Sequence, residues 1–171
     1  QSFGTADVSV GARWGTGNSN AVGVSDPETW GLGMQVGFGA FTVGGSYAEN
    51  DAGSVDAAGR SDGAGDSSGW SLGVTYDLAG PWTVGFDTYQ GEMDGALDFA
   101  TGVQTKAEYE AYQIGAEREL GNGVAWRIYA IQSETSRTTT NPAGLLAGST
   151  FPVQKTSAES TAVGTGIRLN F

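Results

Sequence analysis

The chain has 171 residues and a formal net charge of −11, with 29 glycines, five tryptophans, six tyrosines and seven phenylalanines. It contains neither histidine nor cysteine, so the commonest general base and metal ligand is missing and hydrolytic or transition-metal chemistry is a poor expectation. Eight basic residues against 19 acidic ones argue against a nucleic-acid partner, and no apolar run approaches the roughly 20 residues of a membrane-spanning helix.

In the first half of the chain, large apolar residues alternate with glycine and polar residues. This period of two predicts β-strands, with one apolar and one polar face each. The predicted strands are Thr5–Trp14, Trp30–Ala40, a strand that begins at Phe41, Trp70–Leu78 and Trp82–Gln90. Gly15–Pro27 is a predicted loop, and Asn50–Gly69 is a predicted long, mobile loop because it has almost no large apolar residue.

The second half repeats the pattern with one irregularity. The predicted strands are Lys106–Leu120, Val124–Gln132 and Ser157–Phe171, with long loops over Gly91–Thr105 and Ser133–Thr156 and a tight turn over Gly121–Gly123. Tyr109 and Ala111 lie on the wrong parity of their strand, which predicts a bulge near Ala111. The last strand ends the chain on an aromatic residue.

The links between these eight strands alternate strictly between long and short. A transmembrane barrel predicts this, since short turns collect on one side of the membrane and long loops on the other. The predicted fold class is therefore all-β, a transmembrane antiparallel up-and-down β-barrel over residues 1–171, either as a single domain or as the C-terminal part of a larger barrel. Outward aromatic residues at the strand ends predict two interfacial girdles. The girdle candidates are Trp14, Trp30, Trp70, Trp82, Tyr112, Trp126 and Phe171.

The polar parity predicts the wall of an enclosed space. Its charged residues are the pore-lining candidates Arg13, Asp77, Asp87, Glu117, Arg127 and Arg168. The arginines either form a row that orders water and solute or pair with the inner acids. Eight strands enclose an interior that side chains fill, whereas the glycine-rich row suits a wider aqueous channel. A complete eight-stranded barrel with a structural or adhesive role and no open pore is the alternative.

Three hairpins share the motif [WY]-x-[LI]-G followed by a turn and a return strand, and the chain ends on VGTGIRLNF. In these motifs the chain resembles the general porins of Gram-negative bacteria, especially those of alphaproteobacteria. The resemblance implies an outer-membrane channel of sixteen strands that assembles as a homotrimer and has an inward-folded constriction loop. Because eight strands are predicted and no segment suits that loop, the chain is similar to the C-terminal half of such a porin.

The resemblance implies passive diffusion of small hydrophilic solutes and ions, with no enzymatic activity and no cofactor. The expected partners are outer-membrane lipid and lipopolysaccharide. We count 14 acids in or beside the long loops against four bases, a difference of −10. The hypothesis is a cation-preferring mouth; the alternative is that these acids are merely solvated beside a polyanionic leaflet. Asp56, Asp62 and Asp66 are weak candidates for a calcium site, since hard oxygen ligands suit that ion.

Overall fold

The protein is a single antiparallel sheet in a computed structural model that describes residues 2–19, 25–140 and 153–170. Its strands follow one another in chain order and each pairs with the next. They are β1 (Ser2–Phe3), β2 (Ala6–Thr16), β3 (Glu28–Phe38), β4 (Phe41–Asp51), β5 (Ser67–Asp77), β6 (Trp82–Asp94), β7 (Gln104–Gly121), β8 (Val124–Thr140) and β9 (Val153–Leu169). The eight long strands confirm the predicted all-β, up-and-down architecture. Among the described residues, no helix has the length and apolar character needed to cross a membrane.

The strand register gives the sheet two chemically distinct faces. Residues directly opposite one another form an unbroken apolar row across the eight long strands, made of Val8, Val36, Val43, Val74, Phe86, Ile114, Ala130 and Val163. We call the side with this row and the tryptophans Trp14, Trp30, Trp70 and Trp126 the aromatic face. We call the opposite side, with Gly33, Gly44, Gly73 and Gly115, the glycine face. The alternating parity of each strand therefore continues across the whole sheet.

No other layer of the described structure covers either face. Ala125 is the one buried hydrophobic residue in the described part of the chain, while Val163 is 74% exposed and Ile114 63% exposed. An ordinary water-soluble sheet buries its apolar face against a second layer. The aromatic face of this sheet has no such layer within the described ranges, as expected for a surface that meets lipid.

The short turns join strands β3 to β4, β5 to β6 and β7 to β8 at one end of the sheet. Gly39 occupies the left-handed region of backbone conformation with φ 58°, and Asn122 does so with φ 54°. Asparagine tolerates this conformation better than most residues. The turn chemistry therefore fixes these three hairpins locally, while the links at the opposite end are longer.

Several strands are longer than predicted at their loop ends. β6 continues to Asp94, β8 continues to Thr140 and β9 begins at Val153, so the predicted loops Gly91–Thr105 and Ser133–Thr156 were too long. The reason is that the outward side chains of these segments become polar, as at Glu134, which removes the apolar alternation but not the backbone pairing.

The predicted bulge near Ala111 was wrong. Ala111 pairs with Tyr89 in continuous register, and the irregularity of β7 lies between Glu119 and Gly121. Tyr109 is off-parity because a tyrosine faces the glycine side there, not because the strand shifts.

The link between β4 and β5 is shorter than the predicted loop Asn50–Gly69 and is hydrogen-bonded to the link between β6 and β7. The backbone N–H of Leu97 donates to the carbonyl of Asp62 at 2.9 Å, and that of Asp94 donates to the carbonyl of Asp66 at 2.8 Å. The Arg60 guanidinium lies 4.0 Å from the centre of the Phe99 ring. The β4–β5 and β6–β7 links therefore pack on each other.

The two edges of the sheet differ. β9 pairs along its 17 residues with β8, and β2 has only the two-residue β1 on its outer side. Within the described ranges, no pairing joins β9 to β2, so the sheet is open there.

Candidate functional site

All six predicted pore-lining residues lie on the glycine face, where the structure places three of them together and the other three apart. Glu117, Arg127 and Arg168 come together near the turn end of β7, β8 and β9. Asp77 lies near the same end of β5. Asp87 and Arg13 lie apart from this group, with Asp87 opposite Gly73 and Arg13 opposite Gly31.

Glu117 connects two arginines on different strands. Its carboxylate accepts hydrogen bonds from Nε of Arg127 and from Nη2 of Arg168, and Arg168 also donates to Glu119 at 3.2 Å. The side chains of Arg127 and Arg168 are 49% and 38% exposed, so water screens these pairs. Each contributes on the order of 1 kcal/mol or less to stability. For these two arginines, the structure shows the salt-bridged arrangement.

The remaining acids of the glycine face are less constrained. Asp77 accepts a hydrogen bond of 2.6 Å from the Thr83 hydroxyl on the neighbouring strand. Asp87 makes no ion pair within the described residues, and its β-carbon lies above Gly73. A glycine at that position leaves the Asp87 carboxylate open to the space in front of the sheet.

Arg13 is the unpaired cation of the six candidates. No carboxylate of the described chain lies within 4.0 Å of its guanidinium. Its Nε lies 3.1 Å from the point where a β-carbon of Gly31 would be. The side chain is thus laid over a glycine on the adjacent strand, and its charge is unneutralised by any described acid.

Two tyrosines on the glycine face were not among the predicted pore-lining residues. The rings of Tyr89 and Tyr109 have centroids 5.7 Å apart, and the Tyr89 hydroxyl lies above Gly69 and Gly91. A sequence signal existed, because both are bulky residues on a parity held mostly by glycine and polar residues. Tyr109 was misread as evidence for a bulge.

The girdle candidates lie near the strand ends of the aromatic face. Trp14 pairs directly with Trp30 across β2 and β3, and the Trp82 and Trp126 rings are 6.0 Å apart at the turn end. The Nε1 of Trp126 donates to the Thr165 hydroxyl at 2.7 Å. Trp70 and Tyr112 occupy the loop side of the same face, while Phe171 lies outside the described residues. Arrangement at two levels is what membrane interfaces select.

Most loop-end acids lie in strands, not in loops. Of the 14 acids counted there, nine lie in the parts of β-strands that continue beyond the loop-side aromatic residues, at positions on the aromatic face. These are Glu28, Glu49, Asp51, Glu92, Asp94, Glu108, Glu110, Glu134 and Glu159. Two lysines are interspersed, with Lys106 bonded to Glu92 at 2.7 Å and Lys155 lying 3.8 Å from Glu108. This part of the negative charge faces outward from the sheet, not toward the glycine side.

The three carboxylates considered for calcium do not converge. The Asp56 carboxylate accepts the backbone N–H and the guanidinium of Arg60, and those hydrogen bonds hold the pKa of Asp56 below its usual value. Asp62 accepts the N–H of Ala64, and Asp66 accepts that of Ala52. Within the described ranges no group of acids is arranged to hold a metal ion. The three residues stabilise loop turns instead.

Comparison with known proteins adds one finding. A family model described as "Gram-negative porin" matches residues 1–138. No curated protein matches the chain, and no solved structure matches it. The match covers β1 to β7 and most of β8.

Proposed function

The chain belongs to the Gram-negative porin family of the bacterial outer membrane, and on that premise we propose that its glycine face lines a passive diffusion channel. The solutes are small and hydrophilic, and the channel prefers cations. The aromatic face contacts lipid. In this proposal the protein carries out no chemistry, and selectivity depends on the width and charge of the wall.

The observation that carries the proposal is the high glycine content of the glycine face. An eight-stranded barrel fills its interior with side chains, but many positions of this face are glycines and supply none. Its glycines include Gly11, Gly33, Gly44, Gly73, Gly85, Gly115, Gly164 and Gly166. Asp87 and Arg13 also remain unpaired within the described chain, and an unpaired charge in a dry interior is costly. A hydrated channel accommodates both features.

We further propose that the sheet is half of a barrel of about sixteen strands, as the resemblance to general porins implies. A strand cannot leave its edge hydrogen-bonding groups unpaired in hydrocarbon. The open edges of β9 and β2 support pairing with additional strands rather than with each other, since closure into eight strands would trap the sparse glycine face. Assembly into a homotrimer rests on the resemblance alone.

The proposed cation preference rests on the charge of the wall. The glycine face of the described strands holds five acids, Asp7, Asp77, Asp87, Glu117 and Glu119, and four bases, Arg13, Arg127, Arg137 and Arg168. The difference is −1, a small bias that raises the local concentration of cations. The nine acids on the aromatic face contribute little directly, because they point away from the channel. They fit contact with lipopolysaccharide, whose phosphates divalent ions would bridge.

Planar-bilayer recordings of the native polypeptide test this function. We expect stable ohmic conductance. In a KCl gradient we expect a reversal potential with the sign of a cation-selective pore. KCl suits this measurement because K⁺ and Cl⁻ have similar mobilities, so that the potential reports selectivity for charge. Replacing Glu117 by Gln changes the glycine-face charge from −1 to 0 and should shift the reversal potential toward the value of an anion-selective pore. Gln90→Glu is the matched control, since it adds a charge on the aromatic face and should leave the potential unchanged. Correct insertion without conductance would favour the closed structural barrel.

A further inference from the structure

One cross-strand row of the glycine face runs from a cation to an aromatic residue across small residues only. Directly paired positions place Arg13, Gly31, Ala48, Gly69, Gly91 and Tyr109 in sequence from β2 to β7. The four middle residues have at most a methyl side chain. They form a floor between Arg13 and Tyr109, which are five strand spacings or roughly 24 Å apart.

Two side chains lie over this floor, that of Arg13 from one end of the row and that of Tyr89 from the neighbouring row. Arg13 covers Gly31, as described above. The Tyr89 hydroxyl reaches across from the neighbouring row, 2.8 Å from a β-carbon placed at Gly69 and 2.7 Å from one placed at Gly91. The floor left uncovered is centred on Ala48. Gly31 and Gly69 are two strand spacings apart, roughly 10 Å, a gap that one pyranose ring would fill.

The space above the floor is a concave depression of about 560 Å³, within the usual range for small-molecule sites. Its lining includes the polar residues Ser46, Asn50 and Thr135, together with Glu49, Glu92 and Glu108, whose strand positions belong to the aromatic face. Neither the Tyr89 nor the Tyr109 hydroxyl has a hydrogen-bond partner in the part of the chain that the structure describes. The depression thus combines a guanidinium that makes no ion pair with a described acid, two tyrosine rings and their hydroxyl groups, while the Ser46 hydroxyl is hydrogen-bonded to that of Ser71 at 2.8 Å.

From this arrangement we propose that the depression is a binding site for a cyclic carboxylate that carries hydroxyl groups, of which a hexuronate is the simplest. The carboxylate pairs with Arg13, the apolar face of the ring packs against Tyr89, and the hydroxyl groups bond to polar groups of the lining. The site rests on the proposed channel function and deepens it by naming a solute that the wall retains in transit.

The position of Arg13 explains why the anion binds here in a wall whose net charge is negative. Arg127 and Arg168 are already neutralised by Glu117, so a solute carboxylate would have to displace that side chain. At Arg13 no described carboxylate competes. Charge-assisted bonds to an arginine are among the stronger hydrogen bonds, and tyrosine supplies a rigid amphipathic surface beside it.

Saturation-transfer NMR with glucuronate, on the native polypeptide folded in detergent micelles, tests the site without requiring conductance. Glucuronate is expected to bind more tightly than glucose, which has no carboxylate, and than acetate, which has no ring. Arg13→Gln should weaken glucuronate binding by roughly tenfold, as loss of a charge-assisted hydrogen bond implies. Tyr89→Leu should weaken glucose and glucuronate alike, and Arg127→Gln, the matched control, should leave binding within about twofold.

Equal binding of glucose and glucuronate, or equal losses in Arg13→Gln and Arg127→Gln, would overturn the site. If Arg13→Gln does not fold, Tyr89→Leu and the comparison of the three ligands carry the same test. Conductance without glucuronate binding would overturn this inference and leave the channel intact. Glucuronate binding with Arg13 dependence but no conductance would support the site and refute the channel.

Discussion

Replacing Gly164 by Ala should destabilise the sheet, because the ring of Tyr129 occupies the place of the missing side chain. Tyr129 and Gly164 are directly paired across β8 and β9, and a β-carbon at residue 164 would fall within contact distance of three atoms of the phenol. Overpacking of this kind costs about 1–3 kcal/mol. The loss of backbone freedom in the unfolded chain offsets about 0.4–1 kcal/mol of that.

Gly166 provides the matched control for this prediction. It lies two residues further along β9 on the same face, and nothing is within 4 Å of its would-be β-carbon. Gly166→Ala restricts the backbone of the unfolded chain to the same extent, but its added methyl group meets no neighbouring atom. The two variants should therefore differ by the overpacking term alone, about 1–3 kcal/mol. With a urea dependence of about 2 kcal/mol per M, their unfolding midpoints should be about 1 M apart.

Urea unfolding in lipid vesicles, followed by tryptophan fluorescence and by the mobility of unheated samples on gels, measures this difference. The double variant Tyr129→Ala, Gly164→Ala supplies the decisive comparison, since removing the ring should abolish the cost of the alanine. Equal midpoints for the two single glycine variants, or an undiminished cost in the Tyr129→Ala background, would refute the reasoning.

Three further outcomes are expected. Thr165→Val removes the acceptor of the Trp126 indole N–H, so it should lower stability by about 1 kcal/mol and shift the emission of that tryptophan. Gly123→Ala should destabilise the β7–β8 hairpin, which urea midpoints would report, because the backbone there has φ 76° and an added β-carbon meets main-chain atoms. Because the pKa of Asp56 is lowered, its loop should persist at pH 3.8 and open as pH falls through the lowered value. Carboxyl NMR titration should show Arg60→Gln returning that pKa toward 3.8.

The strands and their faces could be predicted from the sequence because alternation is a local property of the chain. The turns at Gly39 and Asn122 could also be predicted, since glycine and asparagine tolerate the backbone that a tight turn needs. The loop-side ends could not. Around Glu134 and Ser136 the outward positions become polar, and a pattern based on hydrophobicity ends before the hydrogen bonds do.

The candidate site was less predictable, because it depends on register across long links. Arg13 and Tyr109 lie in one row only because five successive strand pairs have the right register. In three of these pairs the strands are connected by a long link, whose sequence does not determine the register. The contact between Glu117 and Arg168 spans two strands and could not be derived from parity alone. The alternation along each strand predicts the face on which a residue lies, but it does not predict which residues of different strands are in contact.

The strands continue to different lengths beyond the loop-side aromatic residues, so the loop end of the sheet is uneven in height. β2 ends two residues past Trp14, at Thr16, whereas β7 starts eight residues before Tyr112, at Gln104. At about 3.3 Å per residue and a tilt near 45°, the first flank rises roughly 5 Å above the interface and the second roughly 19 Å. Among the described strands, a bulky particle that approaches this end therefore meets the tall flank at β7 before the low one at β2.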